Sequence, residues 1–350
     1  MGNRPVKQGL DRITGVAAMR QIAVALALTV GLLGVLPQGA GAVASSASFV
    51  QNGVVWTKLG SPMSVWFEAM PRGYVATSTS CWDESSGTVY TSPDGINWTT
   101  PPDPRIFATT DEGFCLTTHG PVRGPAGYVL AGRVTDAVTT IWQSSDGIRW
   151  HRHDVPSLSG TDFTGIAPTR TGYLVGDGNG NYWTSTDGIT WTPAAYDAYK
   201  LQTGQPGVPI LTGGEGGTSW FSLDGGRTWR ETGTPKGMKL LEGVARLGNV
   251  YYGDWEIGGT FTIYSTRDMQ HWAPTKGPGN PGSIVALGDR LYVVSYDDTL
   301  TGAVYSSADG RKWSPVKDRS GHAIQADTLE VVGGRLFVLN GGIVWVASLR

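Results

Sequence analysis

Carboxylates carry most of the chemistry this chain could do, and they fall into two sets with different spacing. Asp94, Asp146, Asp187, Asp224, Asp268 and Asp309 recur at intervals of 52, 41, 37, 44 and 41 residues. Each follows a hydroxyl residue (Ser92, Ser144, Ser185, Ser222, Thr266, Ser307) by two positions and precedes a tryptophan (Trp98, Trp150, Trp191, Trp229, Trp272, Trp313) by four or five. A hydroxyl and a carboxylate so spaced can both accept main-chain N–H groups of one tight turn, while a following Gly takes the positive φ that a side chain resists. These six are expected to lock turns, not to catalyse.

The second set, Asp83, Glu84, Asp136, Asp177, Glu215, Asp254, Glu256, Asp297 and Asp298, falls between the repeats. Two carboxylates about 5–10 Å apart across a cleft can serve as acid and base in glycoside hydrolysis. A rim of them can also bind sugar hydroxyls or a cationic surface. Trp82 and Trp255 stand beside Asp83 and Asp254, as a sugar-stacking platform would require. Loop tips also attract Asp and Glu for turn geometry alone, so both readings stand at this point.

The elements that must position these groups are strands. An aromatic residue (Tyr90, Trp142, Trp183, Trp220, Tyr264, Tyr305) lies four positions before each repeat Asp. It enters the turn on one strand and the Trp leaves on the next, so both can pack between neighbouring sheets. A period near forty residues fits one four-stranded propeller blade per repeat. In the third repeat the strands are expected over 163–169, 172–176, 181–185 and 190–193. The fifth repeat departs from the pattern, with Met269 in place of Gly.

Residues 52–57 resemble the second half of a repeat, and 343–347 the first half of one. The first strand is therefore expected to complete the last blade, giving an all-β, seven-bladed propeller over 52–350 with no open edge. Turns after first and third strands then share one side of the disc, carrying Arg72, Arg123, Arg170, Arg246, Arg290 and Arg335 beside the repeat turns. The second carboxylate set occupies the opposite rim.

The stretch Ser222-Leu223-Asp224-Gly225-Gly226-Arg227-Thr228-Trp229 resembles the Asp-box, or bacterial neuraminidase repeat, S-x-D-x-G-x-T-W, at every defined position. The other copies are one residue shorter between Asp and Trp. The resemblance is to Asp-box propellers of the sialidase-like superfamily. Because the motif recurs in sialidases, xyloglucan-degrading hydrolases, sortilin-type receptors and photosystem assembly factors, it implies a fold and no single activity. A sialidase would also need an arginine trio, an early F-R-I-P-like segment and a Tyr/Glu nucleophile pair. Pro104-Arg105-Ile106-Phe107 has a different order and falls in the second blade. Arg105, Arg133, Arg152 and Arg319 fall on the loop face.

Residues 1–42 read as an export signal. Arg4, Lys7, Arg12 and Arg20 precede an apolar run over 22–36, then small residues that offer cleavage after Ala42 or Ala44. A linker over 43–51 would follow. The run is shorter than the about 20 residues of a membrane span, so no stable insertion is expected after cleavage. Removing 1–42 leaves 23 basic and 28 acidic side chains, a formal charge of −5 that argues against nucleic acid as partner. By the blade register Cys81 and Cys115 share one face of adjacent blades, and in an exported protein a disulfide between them is expected. No phosphate loop, nucleophile elbow or zinc spacing is present, so no cofactor or metal is expected.

The expectation is a secreted monomeric recognition module for an extracellular glycan or protein surface. The alternatives are a glycoside hydrolase using rim carboxylates, and an assembly factor using the arginine-bearing face.

Overall fold

The repeats fold into antiparallel sheets that follow one another along the chain as the spacing predicts. The computed structural model describes residues 48–59, 66–78, 88–99, 117–133, 139–158, 163–177, 181–194, 200–202, 210–213, 219–236, 238, 240–257, 260–299, 301–340 and 343–350. The expected export signal, Cys81, Cys115 and the loop residues Trp82, Asp83, Glu84, Asp136 and Glu215 lie outside the described residues. No helix among the described residues is long and apolar enough to cross a membrane.

Seven sheets form. Sheet 1 contains Trp66–Met70, Gly73–Ser78 and Thr88–Ser92, and among the described residues a bridge between Thr91 and Thr99 stands at its outer edge. Sheet 2 contains Thr117–Gly124, Gly127–Arg133, Thr139–Ser144 and His151–Asp154. Sheet 3 runs Phe163–Pro168, Tyr173–Asp177, Tyr182–Ser185 and Thr192–Ala194, within two residues of the expected strands. Sheet 4 runs Lys200–Gln202, Ile210–Gly213, Ser219–Ser222 and Arg230–Glu231. Sheet 5 runs Leu240–Leu247, Val250–Ile257, Thr260–Thr266 and Ala273–Pro274; sheet 6 runs Asn280–Leu287, Arg290–Tyr296, Gly302–Ser307 and Ser314–Pro315.

Sheet 7 joins the two ends of the described chain. Thr328–Val332, Arg335–Leu339 and Ile343–Leu349 are followed in space by Val54–Lys58, with Val54 opposite Leu349 and Lys58 opposite Trp345. One boundary differs from expectation. Residues 48–51, read as the end of a linker, form a fifth strand, Ser48–Gln51, antiparallel to Val54–Lys58. Asn52 and Gly53 connect them with φ of 53° and 76°. Two positive φ values make the two-residue turn whose twist matches a hairpin, and Asn-Gly is its preferred sequence. Phe49 stacks on Trp56 with ring centroids 6.0 Å apart and meets Trp345 edge-on at 5.5 Å, so the extra strand buries an aromatic ring.

Among the described residues the hydrophobic core forms seven clusters, one at every junction between consecutive sheets. Val75 of sheet 1 meets Leu130 and Trp142 of sheet 2. Ile141 of sheet 2 meets Ile166 and Val175 of sheet 3, and Leu174 and Tyr182 of sheet 3 meet Trp229 of the repeat turn in sheet 4. Phe221 of sheet 4 meets Leu241 and Trp255 of sheet 5, and Ile263 of sheet 5 meets Leu291 and Val293 of sheet 6. Tyr292 and Val294 of sheet 6 meet Trp56 and Leu336 of sheet 7, and Phe337 of sheet 7 meets Tyr74 of sheet 1. First strands touch the first strands of their neighbours at six of the seven junctions, including the seventh against the first, and between sheets 4 and 5 the second strand Ile210–Gly213 touches Leu240–Leu247, so the inner strands ring the axis. A circle of seven face-packed sheets is the arrangement of a seven-bladed propeller.

Burial follows radial position. Tyr173–Asp177, a second strand, is buried along its whole length because neighbouring sheets cover both faces. The outermost strands Arg230–Glu231 and Ala273–Pro274 are exposed. They are two residues long, and Pro274 and Pro315 remove N–H donors from two outer edges, which discourages pairing with other chains.

Candidate functional site

Each repeat Asp is spent on its own turn. In sheet 1 the Ser92 hydroxyl donates to Asp94 Oδ1 at 3.0 Å and accepts the Gly95 N–H at 2.8 Å. The same Oδ1 accepts the N–H groups of Ile96 at 2.9 Å and Asn97 at 2.8 Å. Asp146, Asp187, Asp268 and Asp309 repeat this pattern. Asp224 serves a turn one residue longer, where Gly225 and Gly226 both take positive φ and the Thr228 hydroxyl adds a bond to Oδ2 at 2.7 Å. Met269 occupies the glycine position of the fifth turn at φ 63°, buried, and keeps its N–H on the Thr266 hydroxyl.

Accepted N–H groups favour the ionised form. Burial pulls Asp187 upward, but the Thr190 and Ile189 amides and the Ser185 hydroxyl outweigh it and hold the carboxyl at about 2. The Thr228 amide and hydroxyl hold Asp224 low, and the His271 ring and amide do so for Asp268. Carboxyls this acidic are poor proton carriers near neutral pH.

The turns also fasten one sheet to the sheet before it. Gln143 Nε2 donates to the Asp187 carbonyl at 2.7 Å, the Arg170 N–H donates to the Gly225 carbonyl at 3.0 Å, and the Arg335 guanidinium donates to the Asp94 carbonyl. Tyr252 Oη reaches the Asp309 carbonyl of the following sheet at 3.2 Å. The repeat turns and the turns after first strands therefore share one side, as expected. The arginines on that side are partly structural: the Arg123, Arg246 and Arg335 guanidinium groups lie over Tyr128, Tyr251 and Tyr74 at 5.8, 5.4 and 5.7 Å.

Of the nine expected rim carboxylates five lie among the described residues, and two of these, Asp177 and Asp254, are buried. Asp177 is 3% exposed and binds the Asn181 N–H at 2.7 Å and Nδ2 at 2.8 Å, closing its own loop. Asp297, though exposed, does the same with the N–H groups of Thr299 and Thr301. Asp254 is 1% exposed, mid-strand, aimed at the backbone of Gly243. Trp255 is fully buried, edge-on to Trp272 with ring centroids 5.4 Å apart, and offers no face to a sugar. Neighbours in a strand point to opposite faces, but a second strand in a propeller is covered on both. Glu256 is half-buried and Asp298 exposed.

Two features escaped the sequence reading. Glu68 and Glu330 lie on the first strands of sheets 1 and 7, which touch each other. Burial, then the Glu68 carboxylate, pushes Glu330 up to about 8. Burial also raises Glu68, against the pull of the Ala69 and Arg123 amides and the Arg123 charge. Spacing gave no signal because the two are 262 positions apart.

The other is a groove of about 1450 Å³ between the outer parts of sheets 5 and 6. Tyr296, Tyr305 and Trp313 supply aromatic surface, and Lys276, Arg311 and Lys312 supply charge. A smaller cavity of about 490 Å³ shares Ser265, Thr275 and Arg311 with it and leads toward the turns of Asp268 and Asp309. Among the described residues none of the three cations forms a salt bridge.

Fold and hairpins together define a β-propeller with Asp-box-type turns. No protein-family model matches the chain. Among curated proteins, vacuolar protein sorting/targeting protein 10 of Paracoccidioides lutzii is 35% identical over 106 residues, covering 26% of this chain and 7% of that protein. Its counterpart in Paracoccidioides brasiliensis is 34% identical over the same extent, so the match spans 7% of the length of these relatives. Among solved structures, YCF48 bound to D1 peptide superposes with a TM-score of 0.59 at 12% identity, over 87% of this chain and 100% of that one. The GH74 xyloglucanase from Xanthomonas campestris gives 0.54 at 15% identity, over 83% of this chain and 53% of that one. At these identities the likeness is one of fold.

Proposed function

We propose that the protein is a secreted Asp-box propeller that recognises an extracellular glycan or protein surface without turning it over. The groove between sheets 5 and 6 carries this reading. It is lined by aromatic and cationic side chains, and its walls are held by main-chain bonds such as Val316 N–H to Val304 O at 2.8 Å. Preformed walls reduce the ordering cost of binding. The six repeat carboxylates are committed to turns, which removes them as proton carriers. The similar YCF48 structure, solved with a peptide bound, supports a binding role for this kind of ring.

A glycan-array measurement set beside a reducing-sugar release assay on one preparation tests the proposal. Binding without release supports it, and release at an enzymatic rate overturns it. The glycoside hydrolase reading is favoured by one observation, the Glu68–Glu330 pair, since a raised carboxyl is what a general acid needs. Sugar release that Glu330→Gln abolishes while the fold persists would establish that reading instead.

A further inference from the structure

The groove's chemistry says more about its occupant than the recognition reading on which this inference rests. We propose that the groove between sheets 5 and 6 is a binding site for an acidic polysaccharide, a chain of sugar rings bearing carboxylates.

Lys276 and Lys312 are exposed on opposite walls, one following the outer strand of sheet 5 and the other leading into that of sheet 6. Arg311 stands where the main groove meets the smaller cavity. The one carboxylate lining the main groove, Asp297, is occupied by the Thr299 hydroxyl and the Thr299 and Thr301 amides. The walls thus carry an excess of positive charge inside a protein whose formal charge is −2. Lys312 also lies in the field of the Asp309 carboxylate, but three cations that line one groove and form no salt bridge among the described residues favour an anionic ligand.

The rings distinguish a sugar chain from an acidic peptide. Tyr296, Tyr305 and Trp313 line the groove, Gln325 adds an amide, and the Ser295 and Thr275 hydroxyls, which donate to the Pro278 and Ile263 carbonyls, can still accept. Aromatic faces beside hydroxyl and amide groups suit the apolar faces and hydroxyls of pyranose rings. An extended peptide would gain most by adding a strand to a sheet edge. Here the bordering edges are Ala273–Pro274 and Ser314–Pro315, each two residues long with a proline, and Val304 is already bonded to both Val316 and Ile324. Little edge is left for a peptide backbone to pair with. The Tyr296 hydroxyl is anchored on the Asp327 carbonyl, which fixes one ring in advance.

The test uses polygalacturonate as probe, with its fully methyl-esterified form and poly-glutamate as controls, titrated by calorimetry into the full chain and into Lys276→Glu/Lys312→Glu. Both substitutions are at exposed positions, and an unchanged melting temperature confirms that the variant folds. The expected result is binding of polygalacturonate that weakens with salt, drops about tenfold or more in the variant, and is not matched by the ester. Equal binding of the ester, equal binding of poly-glutamate, or full binding by the folded variant overturns the inference. A variant that loses its fold is replaced by Lys276→Gln/Lys312→Gln, read against the same three criteria. If only neutral glycans on the array are bound, this inference fails while the recognition reading stands; if sugar is released with no ligand retained, the recognition reading fails as well.

Discussion

The Arg335 guanidinium donates to the main-chain carbonyl of Asp94, 241 positions earlier in the chain. This bond fastens sheet 7 to the repeat turn of sheet 1, and the Arg335 guanidinium lies 5.7 Å from the centre of the Tyr74 ring on the way. It works at the same seam that Phe337 and Tyr74 close by packing, with ring centroids 5.4 Å apart. Replacing Arg335 by Met keeps a long stem and removes the charged donor. The expected loss is about 1–2 kcal/mol, read as a lower urea midpoint with an unchanged slope.

Met269 holds a positive φ inside a buried cluster with Phe221, Leu241 and Trp255. Met269→Gly relieves about 1–2 kcal/mol of backbone strain, but forfeits a buried side chain worth about 2–5 kcal/mol on truncation. The net expectation is a loss of about 1–3 kcal/mol in thermal unfolding. Gly310→Ala should cost more than a surface substitution because the new Cβ would run into the Tyr252 ring at a backbone position of φ 69°.

Acid should unfold the protein through its turn locks. Asp94, Asp146, Asp187, Asp224, Asp268 and Asp309 all titrate below the ordinary value of 3.8 in the folded chain. A depressed folded pKa means that the unfolded chain binds protons first. Their stabilisation is therefore complete above about pH 4 and lost as the pH falls toward 2. Tryptophan fluorescence in urea between pH 2 and 7 reads this. Asp187→Asn should flatten part of the slope, by about 1 kcal/mol once solvent screening is allowed for.

The opposite slope is expected from Glu330. Its folded value of about 8 lies above the ordinary 4.5, so the unfolded chain ionises first as the pH rises. The contribution is full below about pH 4.5 and lost as the pH climbs to 8; the charged group acting on Glu330 is Glu68, which in turn feels Arg123. Glu330→Gln should remove this slope and raise stability at pH 8 by about 1–3 kcal/mol. Urea midpoints from pH 5 to 9 check it, and a variant with the same slope as the parent would refute the placement.

Sequence determined what is local. A hydroxyl, a carboxylate and a glycine within four residues fix their own turn, so the six locks, their period and the joining of Val54–Lys58 to Ile343–Leu349 were all legible. The hairpin of Ser48–Gln51 is signalled by Asn52-Gly53, but the same residues also match the tail of a repeat, so the sequence alone leaves two readings of them. What only the tertiary structure decided depends on neighbours far apart in sequence. Whether Asp254 and Trp255 face water depends on sheets 4 and 6 covering sheet 5, and no alternation within one strand reports that. The Glu68–Glu330 pair exists because a closed ring puts its first and last inner strands side by side, and the groove exists because sheets 5 and 6 bring Lys276, Arg311 and Lys312 to one surface. Turns are fixed by contacts a few residues apart, whereas burial and charge pairing are fixed by which surfaces the ring brings together.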